Sequence, residues 1–438
     1  MWDLGLYSGY ILACCINFFL GLIFIIFLKL EDKRYLAKLF FCSLILQLIL
    51  IPLYYVWLDA YGYDGFSFVD DSKYDYDGYR VARAWLSGLH FAEFRAANNG
   101  FYYFTAFVYY IFGQNTLMVR AFNALAGSLC IFFVYKTAQC HFNNTVARRA
   151  AFITAFFPVL IFWCINHFKD AILMLATIIT LYLGSTLIVK KKLGITQCIG
   201  LIFSFIAIYT FRYAIAVPLF GFVFMYFYFC CLKDISILRF VLVSLLIGFI
   251  LFGILRVTGE GTYDIMQKFQ STTERVSART IESGKKVEGT TAHLTSFAAI
   301  RSYRELYKFP FAFATFMTIP YPPIPRIFTA GLPSQVYYVA TFLFVCILSY
   351  IVVGWYYIFR HKTHDAFLLY FIPFIFISAA AVTNLGVLRY RAQWLPVFAL
   401  LAAIGMEHRK DYKIFIYVFN IFIIIIAPVI YWILKSLT

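Results

Sequence analysis

Long apolar segments recur from one end of the chain to the other, and short charged turns separate them. Most have the length of about 17 to 25 residues at which a helix crosses about 30 Å of hydrocarbon. They lack the ten-residue alternation of an outer-membrane barrel, so we predict an all-α polytopic membrane protein with external juxtamembrane helices. We count about twelve transmembrane helices in a single transmembrane domain, with both chain ends outside. The predicted spans are 9–30, 36–58, 121–135, 150–166, 170–189, 198–211, 213–232, 240–255, 336–359, 367–383, 394–406 and 414–434.

The longest polar interval of the first half, 59–100, follows the second predicted span. Its acid is concentrated in Asp70, Asp71, Asp75 and Asp77, although the whole chain has only 21 Asp and Glu. Apolar and basic positions alternate there at helical spacing, which predicts an amphipathic helix lying at the membrane surface. The interval is therefore predicted to be an acidic external loop that carries this helix.

Two further segments do not fit the pattern of simple spans. The apolar stretch 101–112 is too short to cross, so we expect it to lie along the membrane or to re-enter it. The interval 257–333 is predicted to be a large external loop. It contains a Pro-rich re-entrant stretch around YPPIPR (321–326), which cannot be a plain helix.

Composition supports the membrane assignment. Hydrophobic residues make up 63% of the 438 positions and charged residues 13%, and the mean hydropathy is +0.80, whereas a soluble protein is about 25% charged. The net charge of +16 does not indicate nucleic acid, because the basic residues form short clusters between apolar runs. The ten Cys form no metal-binding pattern, so we assign no metal ligands.

Basic clusters orient the predicted helices. The turns at 31–34, 148–149 and 190–192 come out cytoplasmic by the positive-inside rule, which places the acidic loop outside. Four basic residues then fall in short external turns, where that rule normally removes them. Because guanidinium and ammonium groups bind phosphate oxygens, we expect an anion there, with lipid headgroup contact as the alternative for each one. These residues are Lys169, Arg212, Arg389 and Arg391.

The acidic loop is the candidate catalytic element. A carboxylate beside a leaving phosphate can act as general base towards a hydroxyl or can hold a divalent metal, and Asp70 or Asp71 is the candidate. The alternative is a solvated capping cluster, with Asp71 or Ser72 at the helix N-cap. In the large loop, Arg301, Arg304 and Arg326 are candidates for acceptor binding, against a mobile solvated segment.

The order of several segments resembles the membrane glycosyltransferases of the GT-C type, especially the bacterial branch similar to protein O-mannosyltransferases and the lipid A aminoarabinose transferase. The matching segments are DDSKYDYDGYRVARAWLSG (70–88), FYYFTAFVYYIFGQNTLMVRAFNALAG (101–127), ARRAAFITAFFPVLIFWCINHFKDAILM (147–174) and, more weakly, LRYRAQWLPVFALLAAIG (388–405). The resemblance implies a catalytic Asp in the first external loop, which is Asp70 or Asp71 here, and a supporting acid at Asp170. It also implies a sugar donor linked to polyprenyl phosphate, whose leaving phosphate Lys169 and the external arginines would neutralise.

The sequence therefore predicts an inverting hexosyl- or pentosyltransferase of a bacterial cytoplasmic membrane that builds cell-envelope polysaccharide or a related product. Its active site would be on the external face, and its acceptor would be a glycan, a lipid or a protein. The protein would also contact membrane lipids. The cofactor is unknown, with a divalent metal, Mg²⁺ or Mn²⁺, as one option. The alternatives are a polymerase or ligase of lipid-linked glycans, which uses a pyrophosphate-linked donor, and a transporter or flippase of lipid-linked oligosaccharide. A transporter is expected to carry ionisable groups near the bilayer midplane.

Overall fold

The computed structural model describes residues 5–27, 31–88, 100–190, 194–231, 307–318, 332–361, 371–378 and 389–423. All regular secondary structure in these ranges is helical, as predicted. The helices are α1 (Leu6–Phe27), α2 (Lys33–Ala60), α3 (Val69–Leu86), α4 (Gly100–Phe112), α5 (Thr116–His141), α6 (Asn144–Phe156), α7 (Pro158–Ile165), α8 (Asp170–Lys190), α9 (Ile195–Cys231), α10 (Phe309–Thr318), α11 (Leu332–Arg360), α12 (Arg389–Ala392), α13 (Leu395–Glu407) and α14 (Lys413–Ile421).

Within the described ranges, six helices are long and apolar enough to cross a membrane, or seven if a bent pair forms one span. These helices support the prediction of a polytopic membrane protein, while the number of about twelve transmembrane helices stays a prediction. The predicted span 240–255 lies outside the described residues, as do parts of 367–383 and 414–434. The six helices are Leu6–Phe27, Lys33–Ala60, Thr116–His141, Asp170–Val189, Ile195–Arg212 and Gln335–Arg360.

The predicted span 150–166 is not one straight helix. It divides into α6 and α7, which are bent by 47°. The break falls at Phe157, whose backbone is extended (φ −71°, ψ 110°), because the ring of Pro158 disfavours the helical conformation in the residue before it. Pro158 then begins α7, where its missing N–H has no partner to lose. The interruption predicted at Arg212 is confirmed, since the backbone of α9 is non-helical at that residue.

Helix α5 is the centre of the bundle, and it packs against α1, α2, α6, α7 and α8. It runs from 116 to 141, well beyond the predicted 121–135. The extra turns carry Thr116, Arg120 and Thr137, which are buried within the protein and so do not meet lipid. Asn17 and Ser43 fasten neighbouring helices by donating to the carbonyls of Ala121 (2.7 Å) and Ala155 (2.9 Å), a common bond between transmembrane helices.

Helices α11 and α13 approach each other at two glycines. A Cβ atom on Gly354 would lie 2.0 Å from the carbonyl oxygen of Leu401, and one on Gly405 would lie 2.0 Å from that of Tyr350. No side chain fits at either position, so the small residues allow the two backbones to touch. This contact fixes α13, whose N-terminal end adjoins α12 and the basic segment 389–391.

Candidate active site at the end of the bundle

The acidic helix α3 forms as predicted, but its N-cap is Phe68 and not Asp71 or Ser72. Asp71 is the third helical residue, and its carboxylate turns back over the helix start. It accepts hydrogen bonds from the backbone amides of Ser67 (2.8 Å), Phe68 (2.9 Å) and Ser72 (3.1 Å). The predicted N-cap was wrong for a simple reason. A hydrophobic residue can occupy the N-cap when the carboxylate of the third helical residue, in place of an N-cap side chain, accepts hydrogen bonds from the free amides at the helix start.

Asp70 and Asp71 therefore lie in different environments. Asp71 is fully buried, and burial raises the pKa of its carboxyl, opposed by the nearby charge of Arg120 and by the three amides. Asp70 is exposed at the second position of the same helix. A carboxylate that must accept a proton from an arriving substrate has to be accessible. Of the two, Asp70 is the accessible one.

The loop 166–170, which links α7 to α8, is held against the segment that precedes α3. The Ser67 hydroxyl donates to Asn166 Oδ1 (2.5 Å), and Asn123 Nδ2 on α5 donates to the carbonyls of Asn166 and Phe168, both at 2.9 Å. The ring of His167 lies between two threonine hydroxyls, those of Thr105 (3.1 Å) and Thr116 (2.9 Å). The loop that carries Lys169 and Asp170 is thus held in one position relative to α3.

Lys169, Asp170 and Arg212 come together, although 42 residues separate Asp170 from Arg212. Arg212 Nη2 lies 3.3 Å from Asp170 Oδ1, and Lys169 Nζ donates to the carbonyl of Phe211 (2.8 Å). The non-helical backbone at Arg212 frees carbonyls of the preceding turn for other donors. Lys169 Nζ also lies 6.0 Å from the centroid of the Tyr74 ring. Tyr74 is one helical turn from Asp70, so the loop contacts the acidic helix on the side where Asp70 lies.

Arg212 links this cluster to the segment that contains the other predicted arginines. Its Nη1 donates to Gln393 Oε1 (3.2 Å), and its guanidinium lies 4.8 Å from the centroid of the Tyr390 ring. Arg389 begins α12 in the same segment. The predicted acceptor residues Arg301, Arg304 and Arg326 lie outside the described residues.

The side chain of Arg391 points to the end of α10. It is buried and donates through Nη1 to the carbonyls of Phe316 (3.1 Å) and Met317 (2.6 Å). Its guanidinium lies 4.7 Å from the ring centroid of Phe344. These carbonyls belong to the last turn of α10, where a positive charge is favoured. In this structure Arg391 therefore stabilises the end of α10.

A buried polar network lies behind the exposed site, and the sequence analysis did not predict it. Asp75 accepts from the Tyr109 hydroxyl and from Gln114 Nε2 (3.2 Å), and His167 Nδ1 lies 3.8 Å from its Oδ1. Burial, and then the charge of Arg120, hold the pKa of His167 well below its usual value, so the imidazole is neutral. A signal was available, because Arg120 and His167 interrupt apolar runs, and ionisable residues there usually face the protein interior.

Arg120 fixes the loop that precedes the acidic helix. It is fully buried, donates through Nη2 to the carbonyl of Gly65 (2.7 Å) and lies between the rings of Tyr55 and Phe66, 5.5 and 5.6 Å from their centroids. Gly65 has a positive φ of 75°, and a Cβ atom there would lie 2.1 Å from the Tyr55 ring. Arg120 and Gly65 together determine where α3 begins.

No three His, Cys, Asp or Glu side chains gather closely enough to hold a metal ion in the part of the chain that the structure describes. A divalent metal as cofactor stays a prediction. Over the ranges that it describes, the structure thus defines a helical membrane protein with an exposed carboxylate, an ion pair and a partly exposed lysine at one end of its bundle.

Residues 100–255, just over a third of the chain, match the model of the dolichyl-phosphate-mannose-protein mannosyltransferase family. This is a family of GT-C type glycosyltransferases, so the resemblance predicted from the sequence is confirmed. The matched range begins after the acidic helix and includes α4 to α9. No curated protein and no solved structure gives a significant match. The match indicates a membrane glycosyltransferase.

Proposed function

We propose that the protein transfers a sugar from a polyprenyl-phosphate-linked donor to an acceptor hydroxyl, at the outer face of a bacterial cytoplasmic membrane, and that Asp70 is the general base. The family match supports the reaction class. One observation carries the assignment of the base: three backbone amides occupy the buried carboxylate of Asp71, while that of Asp70 is exposed on the same helix turn.

The proposed reaction is a single displacement at the anomeric carbon. The acceptor hydroxyl loses its proton to Asp70, and its oxygen forms a bond to the anomeric carbon. The bond between that carbon and the phosphate oxygen breaks, and the electron pair leaves with the lipid phosphate. Because attack and departure occur on opposite sides, the product has inverted anomeric configuration.

Lys169 is proposed to bind the departing phosphate. Its side chain is partly exposed, and its ammonium adjoins both the acidic helix and the interruption of α9. Negative charge grows on the phosphate as the bond breaks, so a nearby cation lowers the barrier. Arg212 is proposed to supply positive charge behind Lys169, with Asp170 as the supporting acid that holds it in place.

The remaining predicted residues have different support. The hydrogen bonds from Arg391 to the carbonyls of Phe316 and Met317 favour a role in positioning α10. Arg389 keeps its proposed role in phosphate binding, because the next residue of its helix, Tyr390, places its ring against the guanidinium of Arg212. Acceptor binding by the loop 257–333, through Arg301, Arg304 and Arg326, stays a proposal from the sequence, as does the arrangement of about twelve spans.

Transfer can be measured directly with the purified protein in lipid vesicles and radiolabelled polyprenyl-phosphate sugars. We expect label to move to a glycan, lipid or protein acceptor and one polyprenyl phosphate to be released for each sugar. Products of many repeat units, made only from pyrophosphate-linked donors, would replace this proposal with the polymerase or ligase. Movement of an unchanged lipid between leaflets would replace it with the transporter.

A further inference from the structure

A second candidate site, lined by two arginines and by apolar residues, lies at the opposite end of the bundle from Asp70, where α2 and α6 begin and α13 ends. It is a cavity of about 210 Å³, lined by Tyr35, Arg148, Arg149, Phe152, Ile153 and Met406. The positive-inside rule predicts this end to be cytoplasmic. The proposed transfer reaction does not use it.

Two ion pairs hold both arginines at this cavity. Arg148 donates from Nε to Asp32 Oδ2 (2.8 Å) and from Nη2 to Asp32 Oδ1, and Arg149 donates from Nη1 to Glu407 Oε2. These bonds fix the guanidinium groups, and they use three of the roughly ten N–H donors that two such groups carry. Both side chains remain accessible, at 51% for Arg148 and 44% for Arg149. Donors therefore remain for a further anion.

The other lining residues are apolar and lie on the outer side of the bundle. Phe152 is 53% exposed on α6, and Ile153 and Met406 continue the surface beside it. The ring of Tyr35 lies 5.7 Å from the guanidinium of Arg148, an arrangement suited to the membrane interface, where tyrosine is enriched. A small free anion would leave this apolar surface exposed, whereas a lipid would cover it with its acyl chains.

We propose that this cavity, between α2, α6 and α13, binds an anionic phospholipid. Arg148 and Arg149 hold its phosphate, and its acyl chains lie along Phe152, Ile153 and Met406. A headgroup with a net negative charge is preferred over a zwitterionic one, because each guanidinium keeps unused N–H donors beside its carboxylate and the exposed basic residues Lys33 and Arg34 begin α2 at the same end of the bundle. Basic pockets between transmembrane helices are known to take such headgroups.

Delipidated full-length protein in neutral detergent tests this, with dioleoylphosphatidylglycerol and dioleoylphosphatidylcholine as probes. Native mass spectrometry counts the retained lipids, and the thermal midpoint reports stabilisation by binding. We expect phosphatidylglycerol to be retained and to raise the midpoint more than phosphatidylcholine does. We expect Arg149→Gln to weaken this binding about tenfold, as the loss of one charge-assisted contact predicts.

Two further variants separate a specific site from general attraction to a basic surface. Arg409→Gln removes the same charge from an exposed position of the same face that does not line the cavity, and its affinity should equal that of the wild type. Ile153→Trp leaves both ion pairs intact but fills the cavity, and it should weaken binding as Arg149→Gln does. Equal losses in Arg149→Gln and Arg409→Gln, or no preference between the two lipids, would overturn the proposal. Displacement of phosphatidylglycerol by inorganic phosphate would also overturn it, because it would assign the site to a free anion.

Discussion

Asp71→Ala should destabilise the protein far more than Asp70→Ala, although the two residues are adjacent. Asp71 satisfies the amides of Ser67 and Phe68, which precede the first turn of α3. A hydrogen bond to a charged group contributes about 1.5–3 kcal/mol. The alanine variant also removes the cost of burying the Asp71 carboxylate, which offsets part of this loss. We therefore expect a net loss of about 2–4 kcal/mol in the free energy of unfolding.

Asp70→Ala removes an exposed charge near the N-terminus of a helix, and such a charge contributes about 0.3–1 kcal/mol. Asp71→Asn should be intermediate, because one oxygen remains for Phe68 while an amide group then faces the N–H of Ser67. Unfolding by sodium dodecyl sulfate in mixed micelles, followed by tryptophan fluorescence, gives the free energies for all variants. Equal stability of Asp71→Ala and Asp70→Ala, within about 0.5 kcal/mol, would show that the capping role assigned to Asp71 is wrong.

Three other predictions concern different parts of the molecule. In the folded protein the pKa of His167 is well below its usual value, so acid should favour the unfolded chain, and about 1.4 kcal/mol of stability should be lost between pH 7.5 and 5.5. The variant His167→Gln should lose this pH dependence of the unfolding free energy. A pH profile equal to that of the wild type would contradict the prediction. Gly354→Ala should cost about 1–3 kcal/mol in an unfolding titration because its Cβ meets the Leu401 carbonyl, whereas Gly221→Ala, which meets nothing within 4 Å, should be neutral or slightly stabilising. Lys169→Gln should lower kcat/KM for the donor about 10- to 100-fold with unchanged protein yield, and a wild-type value would exclude Lys169 from phosphate binding.

Sequence patterns predicted the acidic helix and the break at Arg212, and they indicated the resemblance to GT-C glycosyltransferases. These features depend on local composition, on spacing within one segment or on the order of segments along the chain. The approach of Asp170 to Arg212 was implied only by their common predicted placement outside the membrane. Their ion pair depends on how α8 and α9 pack, and spacing along the chain carries no direct record of that packing.

The different environments of the aspartates were missed, although their spacing contained a signal. The buried positions of α3 are 71, 74, 75, 78, 81 and 82, which is the spacing of one helix face. Gly78 on this face is small because a Cβ atom there would lie 2.4 Å from the Thr105 side chain on α4. Small and apolar residues in register with Asp71 and Asp75 therefore indicated that these two carboxylates are buried.

The role of Arg391 could not be read from the chain for a different reason. A basic residue in a short external turn suggests an anion, but the carbonyls at the end of a helix satisfy the same donors. Only the position of α10 beside α12 distinguishes the two cases. The same holds for Arg120, whose partner Gly65 lies 55 residues away.

The most direct test of the central claim is the rate of sugar transfer by Asp70→Asn beside that of Asp77→Asn, in the same vesicles and at the same protein concentration. Both variants replace one carboxylate on α3 by an amide of nearly the same shape, and only Asp70 is proposed to accept the proton. A general base contributes about 10²- to 10⁴-fold to the rate, so Asp70→Asn should lose at least a hundredfold while Asp77→Asn transfers at the wild-type rate. Transfer at the wild-type rate by a correctly folded Asp70→Asn would contradict the account.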